Sequence, residues 1–217
     1  MLKNLPNTLT ILRIIMIPFF VLFFFIPSSW SNFVAAAIFV LAALTDLLDG
    51  YLARKLQVCS KFGAFLDPVA DKIMVCTALV LLVNYFSVME KVGVYNYLPG
   101  LHLVVTICAI VIISREIVIS ALREWMAEIG NRAKVAVSWI GKWKTAIQMI
   151  GITGLIWRDD SLHSYIPNWM VYASIVVLMV ATMLTIWSMV SYLRAGLGSM
   201  ITAKSKEIGR ASCRERV

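Results

Sequence analysis

The sequence predicts an all-α, polytopic membrane protein with six transmembrane helices. Of its 217 residues, 60% are hydrophobic and only 15% are charged, and the mean hydropathy is +0.84. Apolar runs of about 20 residues recur along the chain, each long enough to cross a hydrocarbon core of ~30 Å. Because the breaks between them are too short for a separate soluble domain, we expect one transmembrane domain over residues 1–200.

The predicted spans follow one another at short intervals. They cover roughly residues 9–29, 33–52, 69–89, 99–122, 140–158 and 169–193. The first run has no clear small-x-small cleavage site, and polar residues interrupt its start, so we interpret it as a retained span and not a signal peptide. In the third, Pro68 either kinks a helix that begins near Lys61 or opens a helix capped by Asp67.

The distribution of basic residues predicts the orientation. The net charge is +8, yet the outer segments hold only Lys91 and Arg158, beside Glu90 and two aspartates, if the N-terminus is cytoplasmic. Such an asymmetry is what the positive-inside rule expects. We therefore predict that both termini are cytoplasmic, and the charge requires no nucleic-acid partner.

The C-terminal residues 207–217, EIGRASCRERV, differ from the rest of the chain. They lack its hydrophobic texture, so we predict a non-native tail, with a disordered basic tail on the inner leaflet as the alternative. The spacing of the four cysteines indicates neither a disulfide framework nor a metal site.

The polar residues of the spans are predicted to lie at one level. Asp46 is thirteen residues beyond Phe33, or ~20 Å along a helix that runs inward. Arg115 is sixteen residues beyond Pro99, or ~24 Å from the outer face, and Asp71 is near the cytoplasmic start of its span. A channel or transporter needs polar groups near the midplane. Polarity confined to one side favours an enzyme that acts on a lipid head group.

Four of the six aspartates lie in the stretch DLLDGYLARKLQVCSKFGAFLDPVAD, residues 46–71. On helices, Asp46 and Asp49 share one face, and Asp67 and Asp71 share another. Four facing carboxylates cannot all stay ionised without positive charge. Oxygen-only ligands favour Mg²⁺ or Mn²⁺, and a pair of such ions is suited to phosphoryl chemistry. Salt bridges to Arg54 and Lys72 are the alternative, although these cations are too few for four acids.

The complete spacing is Asp46-x2-Asp49-Gly50-x2-Ala53-Arg54-x8-Gly63-x3-Asp67-x3-Asp71. At every fixed position it resembles the signature of the CDP-alcohol phosphatidyltransferases. The resemblance extends over most of residues 1 to about 195, and it is greatest for bacterial members that use glycerol 3-phosphate. The segments NLPNTLTILR, SREIVISALREWMAE and AVSWIGKWKTAIQM carry that likeness.

The resemblance implies a six-helix enzyme of the bacterial cytoplasmic membrane, commonly a homodimer, whose active site faces the cytoplasm. Such enzymes use two divalent cations and transfer the phosphatidyl group of CDP-diacylglycerol to an alcohol, here sn-glycerol 3-phosphate, with release of CMP. The resemblance assigns Asp46, Asp49 and Asp67 as metal ligands and Asp71 as general base and further ligand. It places Gly50, Ala53, Arg54 and Gly63 around the cytidine diphosphate.

Candidates for the acceptor phosphate come from two further spans. Arg115 lies in an apolar run, where a cation is functional by default, and its neighbour Glu116 points about 100° away and is a poor expected partner. Arg123 roughly shares the face of Arg115, and Lys142 and Lys144 enter from the fifth span. The lysines can instead snorkel to the interface, and Arg123 can be an ordinary anchor.

The start of the first span offers further phosphate contacts in Asn7, Thr10 and Arg13, although Arg13 can also snorkel. Two alternatives for function stay open. One is the same chemistry with inositol phosphate, serine or phosphatidylglycerol as acceptor. The other is a divalent-cation transporter that uses the same aspartates.

Overall fold

The computed structural model describes residues 5–28, 30–56, 61–92, 99–128, 139–158 and 168–214. Within these ranges the regular structure is entirely helical, as the sequence predicts. The helices are α1 (Leu5–Phe25), α2 (Ser31–Leu56), α3 (Lys61–Val92), α4 (Leu101–Glu128), α5 (Trp139–Ile156) and α6 (Asn168–Arg214).

Four of these helices contain a stretch long and apolar enough to cross a membrane. The stretches are Thr8–Phe25, Val69–Val92, Leu101–Met126 and Trp169–Arg194, while α2 has a shorter apolar part, Ser31–Asp46. Within the described residues, the predicted spans 33–52 and 140–158 therefore lack an apolar stretch long enough to cross a membrane. Asp46 is the last residue of the apolar part of α2 within the described side chains, and Lys142 and Lys144 lie in the first turns of the 18-residue α5.

Two local features concern the start of α3 and the turn that precedes α4. Helix α3 begins at Lys61 and continues through Pro68, so the alternative in which a helix opens at this proline is wrong. At the other end, Gly100 has a positive φ of 85°, which only glycine adopts at little cost. Its carbonyl accepts from the amide of Leu103 at 3.1 Å, and its own amide donates to Glu90 Oε1 at 3.1 Å. This turn caps α4.

Packing brings the six helices around a main apolar core, beside a smaller cluster of Ile119, Met126 and Tyr192. Helix α5 packs extensively on α6 and also on α2, α1 packs on α2 and α3, and α4 packs between α3 and α6. A Cβ on Gly151 of α5 would lie 3.1 Å from the backbone nitrogen of Leu178 on α6, so glycine permits this close approach. Phe20, Phe39 and Leu82 are among the buried core residues.

The outer surface of the bundle is apolar, as expected for contact with lipid. Exposed large side chains occur on all six helices and include Phe19, Leu44, Val80, Ile110, Ile150 and Met183. The buried charged side chains, in contrast, gather mainly toward the end of the bundle that holds Asp46 and Asp71. The fold thus places polarity inside and at one end.

Candidate active site

The first contact of the site joins α1 to α2. Arg13 Nη1 lies 2.9 Å from Asp46 Oδ1, and the arginine is almost fully buried whereas Asp46 is half-buried. The snorkelling alternative for Arg13 is therefore wrong, because its side chain turns into the bundle. Thr10, one turn earlier on the same helix, is also buried. A buried cation beside a partly exposed carboxylate marks the mouth of a polar site.

Asp71 of α3 lies beside this ion pair. A small cavity of about 10 Å³ is bordered by Arg13, Asp71 and residues of α2 and α5. Asp71 also interacts electrostatically with Asp46 and with Glu116 of α4. Asp71 thus lies beside Arg13 at this cavity and interacts with the charge of Glu116 on α4.

The second group of charges joins α4, α5 and α6. Glu116 Oε1 accepts from Arg115 Nη1 at 2.8 Å and from Lys144 Nζ at 3.0 Å, and Arg115 Nη2 donates to Ser188 Oγ at 3.2 Å. The expectation that Glu116 is a poor partner for Arg115 is wrong. Although the two Cα–Cβ bonds diverge, the long arginine side chain curves back so that its guanidinium reaches the neighbouring carboxylate.

Lys144 is fully buried, so the snorkelling alternative is wrong for this lysine as well. One turn farther along α5, Gln148 is also buried, and its Oε1 has no hydrogen-bond partner among the described residues. Two cations converging on one carboxylate oxygen form a node with strong attraction for anions. This arrangement can bind a phosphate if Glu116 moves aside, or if Glu116 and the phosphate share the two cations Arg115 and Lys144.

Two other basic residues take different partners. Lys72 donates to Ser120 Oγ on α4, and among the described residues it interacts electrostatically with Asp71 without forming a salt bridge to Asp46 or Asp71. Arg123 is exposed, and its guanidinium lies 5.8 Å from the centre of the Tyr192 ring. Among the described contacts, Arg123 does not join the group formed by Arg115 and Lys144.

Several predicted site residues lie outside the part of the chain whose side chains the structure describes. Their backbones belong to α1, α2, α3 and α5, but their contacts are not among the described ones. They are Asn7, Asp49, Gly50, Ala53, Arg54, Gly63, Asp67 and Lys142.

The described donors fit a hard divalent cation. Asp46 and Asp71, on neighbouring helices, interact electrostatically with each other, and both offer only oxygen, which Mg²⁺ and Mn²⁺ prefer. No group of three or more metal-ligating side chains occurs among the described residues. The motif supplies two more carboxylates, from Asp49 and Asp67, next to these two in sequence. Asp46 and Asp71 are thus suited to form part of a metal site.

Sequence reasoning missed the role of Glu116 and the participation of Ser188 and Gln148. A usable signal exists for Glu116, because it is the only acid in the predicted span 99–122 and acids within spans need a partner. Gln148 lies at i+4 from Lys144, which predicts a shared helix face. No comparable signal identifies Ser188, since serine is common in transmembrane helices.

Comparison with known proteins places this geometry in a family. The profile of the CDP-alcohol phosphatidyltransferases matches residues 3–198. A Haemophilus influenzae protein is 50% identical over 198 residues, which cover 91% of this chain and 96% of the relative. An Escherichia coli K12 protein is 48% identical over 199 residues, or 91% and 97% of the two chains. Both relatives bear the name CDP-diacylglycerol–glycerol-3-phosphate 3-phosphatidyltransferase, and members of the family generally depend on a divalent metal ion. The chain belongs to the CDP-alcohol phosphatidyltransferase family.

Proposed function

We propose that this protein transfers the phosphatidyl group of CDP-diacylglycerol to sn-glycerol 3-phosphate, with phosphatidylglycerol phosphate and CMP as products. Family membership supports the reaction class, and relatives at about half identity over nearly their whole length bear the name of this activity. The structural observation that carries the proposal is that Asp71 lies beside the Arg13–Asp46 ion pair and interacts with Glu116, the carboxylate that binds Arg115 and Lys144. The side with Asp46 suits the donor diphosphate with its metal ions, and the side with Arg115 and Lys144 suits an anionic acceptor.

The chemical step follows from this placement. The acceptor hydroxyl is a poor nucleophile at neutral pH, so a positioned carboxylate increases its reactivity by taking its proton. Asp71 accepts that proton as the hydroxyl oxygen attacks the phosphorus that bears diacylglycerol. The new P–O bond forms while the bond from that phosphorus to the CMP oxygen breaks, and CMP departs with the electron pair.

The proposed donor site uses the motif residues. Asp46, Asp49, Asp67 and Asp71 would hold two Mg²⁺ or Mn²⁺ ions, which neutralise the diphosphate and stabilise charge on the leaving CMP when bound. Gly50, Ala53, Arg54 and Gly63 would surround the cytidine diphosphate. Within the described residues, Arg13 restrains Asp46 through its 2.9 Å ion pair and so orients one proposed ligand.

The proposed acceptor site is centred on Arg115 and Lys144. Both are buried cations that share Glu116 Oε1, so a phosphate dianion would meet two donors already held within one small volume. Ser188 limits rotation of the guanidinium through its bond to Nη2. Arg123, Lys142, Asn7, Thr10 and Arg13 are further candidates for phosphate contacts.

The proposed setting is the bacterial cytoplasmic membrane, with six spans, both termini in the cytoplasm and the active site open to that side. Four long apolar helices and the exposed apolar surface support a membrane protein, and the positive-inside pattern supports this orientation. A homodimer is part of the proposal because the family commonly forms one.

The transporter alternative gains no support from the described interior. Buried hydroxyls occur along the middle of α6, but those of Thr182 and Thr185 donate to carbonyls of their own helix, at 2.8 and 2.6 Å. Their hydroxyl protons are thus engaged by the backbone. Three of the four buried charged side chains, Arg13, Arg115 and Lys144, lie toward one end and Arg158 lies near the other, a distribution that suits a head-group enzyme better than a continuous conduit.

An acceptor panel tests the proposal. Purified protein in mixed micelles receives CDP-diacylglycerol, Mg²⁺ or Mn²⁺, and one acceptor at a time: sn-glycerol 3-phosphate, inositol phosphate, serine or phosphatidylglycerol. We expect rapid CMP release when glycerol 3-phosphate is the acceptor and none with the other three acceptors. CMP release with another acceptor only would refute the assigned acceptor. No release with any acceptor, together with metal flux in liposomes, would refute the reaction class.

A further inference from the structure

Gln148 on α5 is a buried polar residue that has no part in the chemical step proposed for Asp71. Only 4% of its surface is exposed, and its Oε1 atom has no hydrogen-bond partner among the described residues. A buried acceptor oxygen without a donor is unfavourable. The presence of a glutamine at this position is therefore explained if a substrate supplies the donor.

Gln148 lies between the cationic group of the site and the small cavity beside Asp71. It is four residues from Lys144 in the same helix, which places the two residues on one face and ~6 Å apart along the axis. Its neighbour Met149 borders the cavity that Arg13 and Asp71 also border. The Cα–Cβ bond of a helical residue is tilted toward the N-terminus of the helix, so the side chain of Gln148 starts in the direction of Lys144.

The cationic group determines the orientation of the acceptor. Arg115 Nη1 and Nη2 donate to Glu116 and Ser188, but the buried Nε has no hydrogen-bond partner among the residues that the structure describes. Arg115 thus keeps a donor for the acceptor phosphate beside the ammonium group of Lys144. With its phosphate at these cations, a short acceptor extends its carbon chain past Gln148 toward Asp71.

The chemistry of an amide oxygen indicates which acceptor group it meets. Such an oxygen only accepts hydrogen bonds, and a phosphate dianion has no proton to donate. Glycerol 3-phosphate carries two hydroxyl groups, and in the proposed reaction the primary hydroxyl gives its proton to Asp71. The secondary hydroxyl lies between the primary hydroxyl and the phosphate, and it is the remaining donor.

We infer that Gln148 is a specificity-determining residue whose Oε1 accepts a hydrogen bond from the secondary hydroxyl of glycerol 3-phosphate. Because Oε1 is enclosed by the helices, the contact requires a change of rotamer that turns the carboxamide toward the acceptor. A site that hydrogen-bonds a substrate hydroxyl rejects an analogue that lacks it, since the buried partner is then unsatisfied. The inference rests on the proposed function and assigns to it one further substrate contact.

The test compares two acceptors. Purified full-length protein in mixed micelles receives CDP-diacylglycerol and Mg²⁺, and CMP release gives kcat/KM for sn-glycerol 3-phosphate and for propane-1,3-diol monophosphate. The second compound keeps the phosphate and a primary hydroxyl but lacks the secondary hydroxyl. We expect the unaltered protein to prefer glycerol 3-phosphate by about ten- to 100-fold in kcat/KM, because the analogue leaves the amide oxygen without a donor.

Gln148→Met keeps the length of the side chain and removes the acceptor oxygen. The preference should fall to about twofold or less, and kcat/KM for the analogue should change little. Thr153→Val is the matched control on α5, because the Thr153 hydroxyl already donates to the Met149 carbonyl at 2.8 Å; this variant should keep the full preference. The preference is a ratio within one preparation, so it does not depend on the fraction of folded protein.

Equal use of the two acceptors by the unaltered protein would overturn the inference, whether or not any variant folds. A Gln148→Met protein that keeps the full preference would do so as well. Loss of kcat/KM by the same factor for both acceptors would show that Gln148 acts only through packing. No CMP release by the unaltered protein with glycerol 3-phosphate would refute the proposed function together with this contact, whereas release with an unchanged preference in Gln148→Met would refute the contact alone.

Discussion

The charged node formed by Arg115, Glu116 and Lys144 leads to a prediction about stability. Glu116 Oε1 is the acceptor for both cations, at 2.8 and 3.0 Å, and both cations are buried. Glu116→Gln keeps the size and an acceptor oxygen but removes the negative charge. Two buried cations would then repel each other without a counter-charge.

The expected magnitude follows from this geometry. Removing one partner of a buried ion pair costs about 3–5 kcal/mol. For a chain of this size, 1 kcal/mol corresponds to a change in Tm of about 2–4 °C, so Glu116→Gln should lower Tm by about 6–20 °C. Lys144→Met should cost about 1 kcal/mol, because Glu116 keeps Arg115 as its partner and one charge no longer needs to be buried.

The double variant Glu116→Gln/Lys144→Met separates this explanation from a general loss of packing. Removing Lys144 relieves the repulsion that the first substitution creates, so the double variant should be more stable than Glu116→Gln by about 1–3 kcal/mol. Glu124→Gln is the control, since Glu124 is an exposed acid two turns away on the same helix.

Thermal unfolding of the four variants in one detergent, followed by tryptophan fluorescence, provides the measurement. If the Glu116→Gln protein has the same Tm as the Glu124→Gln protein, the electrostatic account of the node is refuted. A double variant whose loss equals the sum of the single losses would show that Glu116 and Lys144 act independently, which the 3.0 Å contact does not permit if it is energetically important.

Four further outcomes are expected. Asp71→Asn should lower the rate of CMP release by about 10²-fold or more while CDP-diacylglycerol still binds; activity near that of the Glu124→Gln control would contradict the role of Asp71 as base. Arg115→Ala should raise KM for glycerol 3-phosphate by about tenfold or more and change KM for CDP-diacylglycerol little; the reverse pattern would move Arg115 to the donor site. Removal of divalent cations with EDTA should abolish CMP release, and added Mg²⁺ or Mn²⁺ should restore it; release that persists in EDTA would refute a metal requirement. Gly151→Leu should lower Tm, because any side chain at Gly151 presses on the backbone at Leu178, 3.1 Å from the Cβ position, whereas Ile150→Leu on the exposed face should not; equal melting temperatures would contradict the close packing of α5 and α6.

Much of the fold was predictable because hydrophobicity is a property that each segment carries alone. The apolar runs predicted helices, and six helices are present within the described residues. Their ends were less predictable, since the helix α3 tolerates Pro68 and begins at Lys61. Whether a proline kinks or opens a helix depends on which neighbouring groups satisfy the freed carbonyls, and that is decided by packing.

The candidate site, like the fold, was predictable from the sequence only in part. The motif indicates a phosphoryl-transfer centre and two possible carboxylate faces, and this follows from helical periodicity. Periodicity does not determine how long side chains turn, and for this reason Arg13 and Lys144 were open to a snorkelling interpretation. In the structure both are buried, one beside Asp46 and the other beside Glu116.

By itself, the sequence determined the helical membrane class, the likeness to a lipid-modifying family and the end of the bundle at which its charges gather. These conclusions rest on composition, local spacing and depth along a helix. Only the tertiary structure decided which charges are partners and that a cavity lies between Arg13 and Asp71. The physical reason is that ion pairs and cavities form between helices distant in the chain, and their geometry depends on side-chain packing that no single segment specifies.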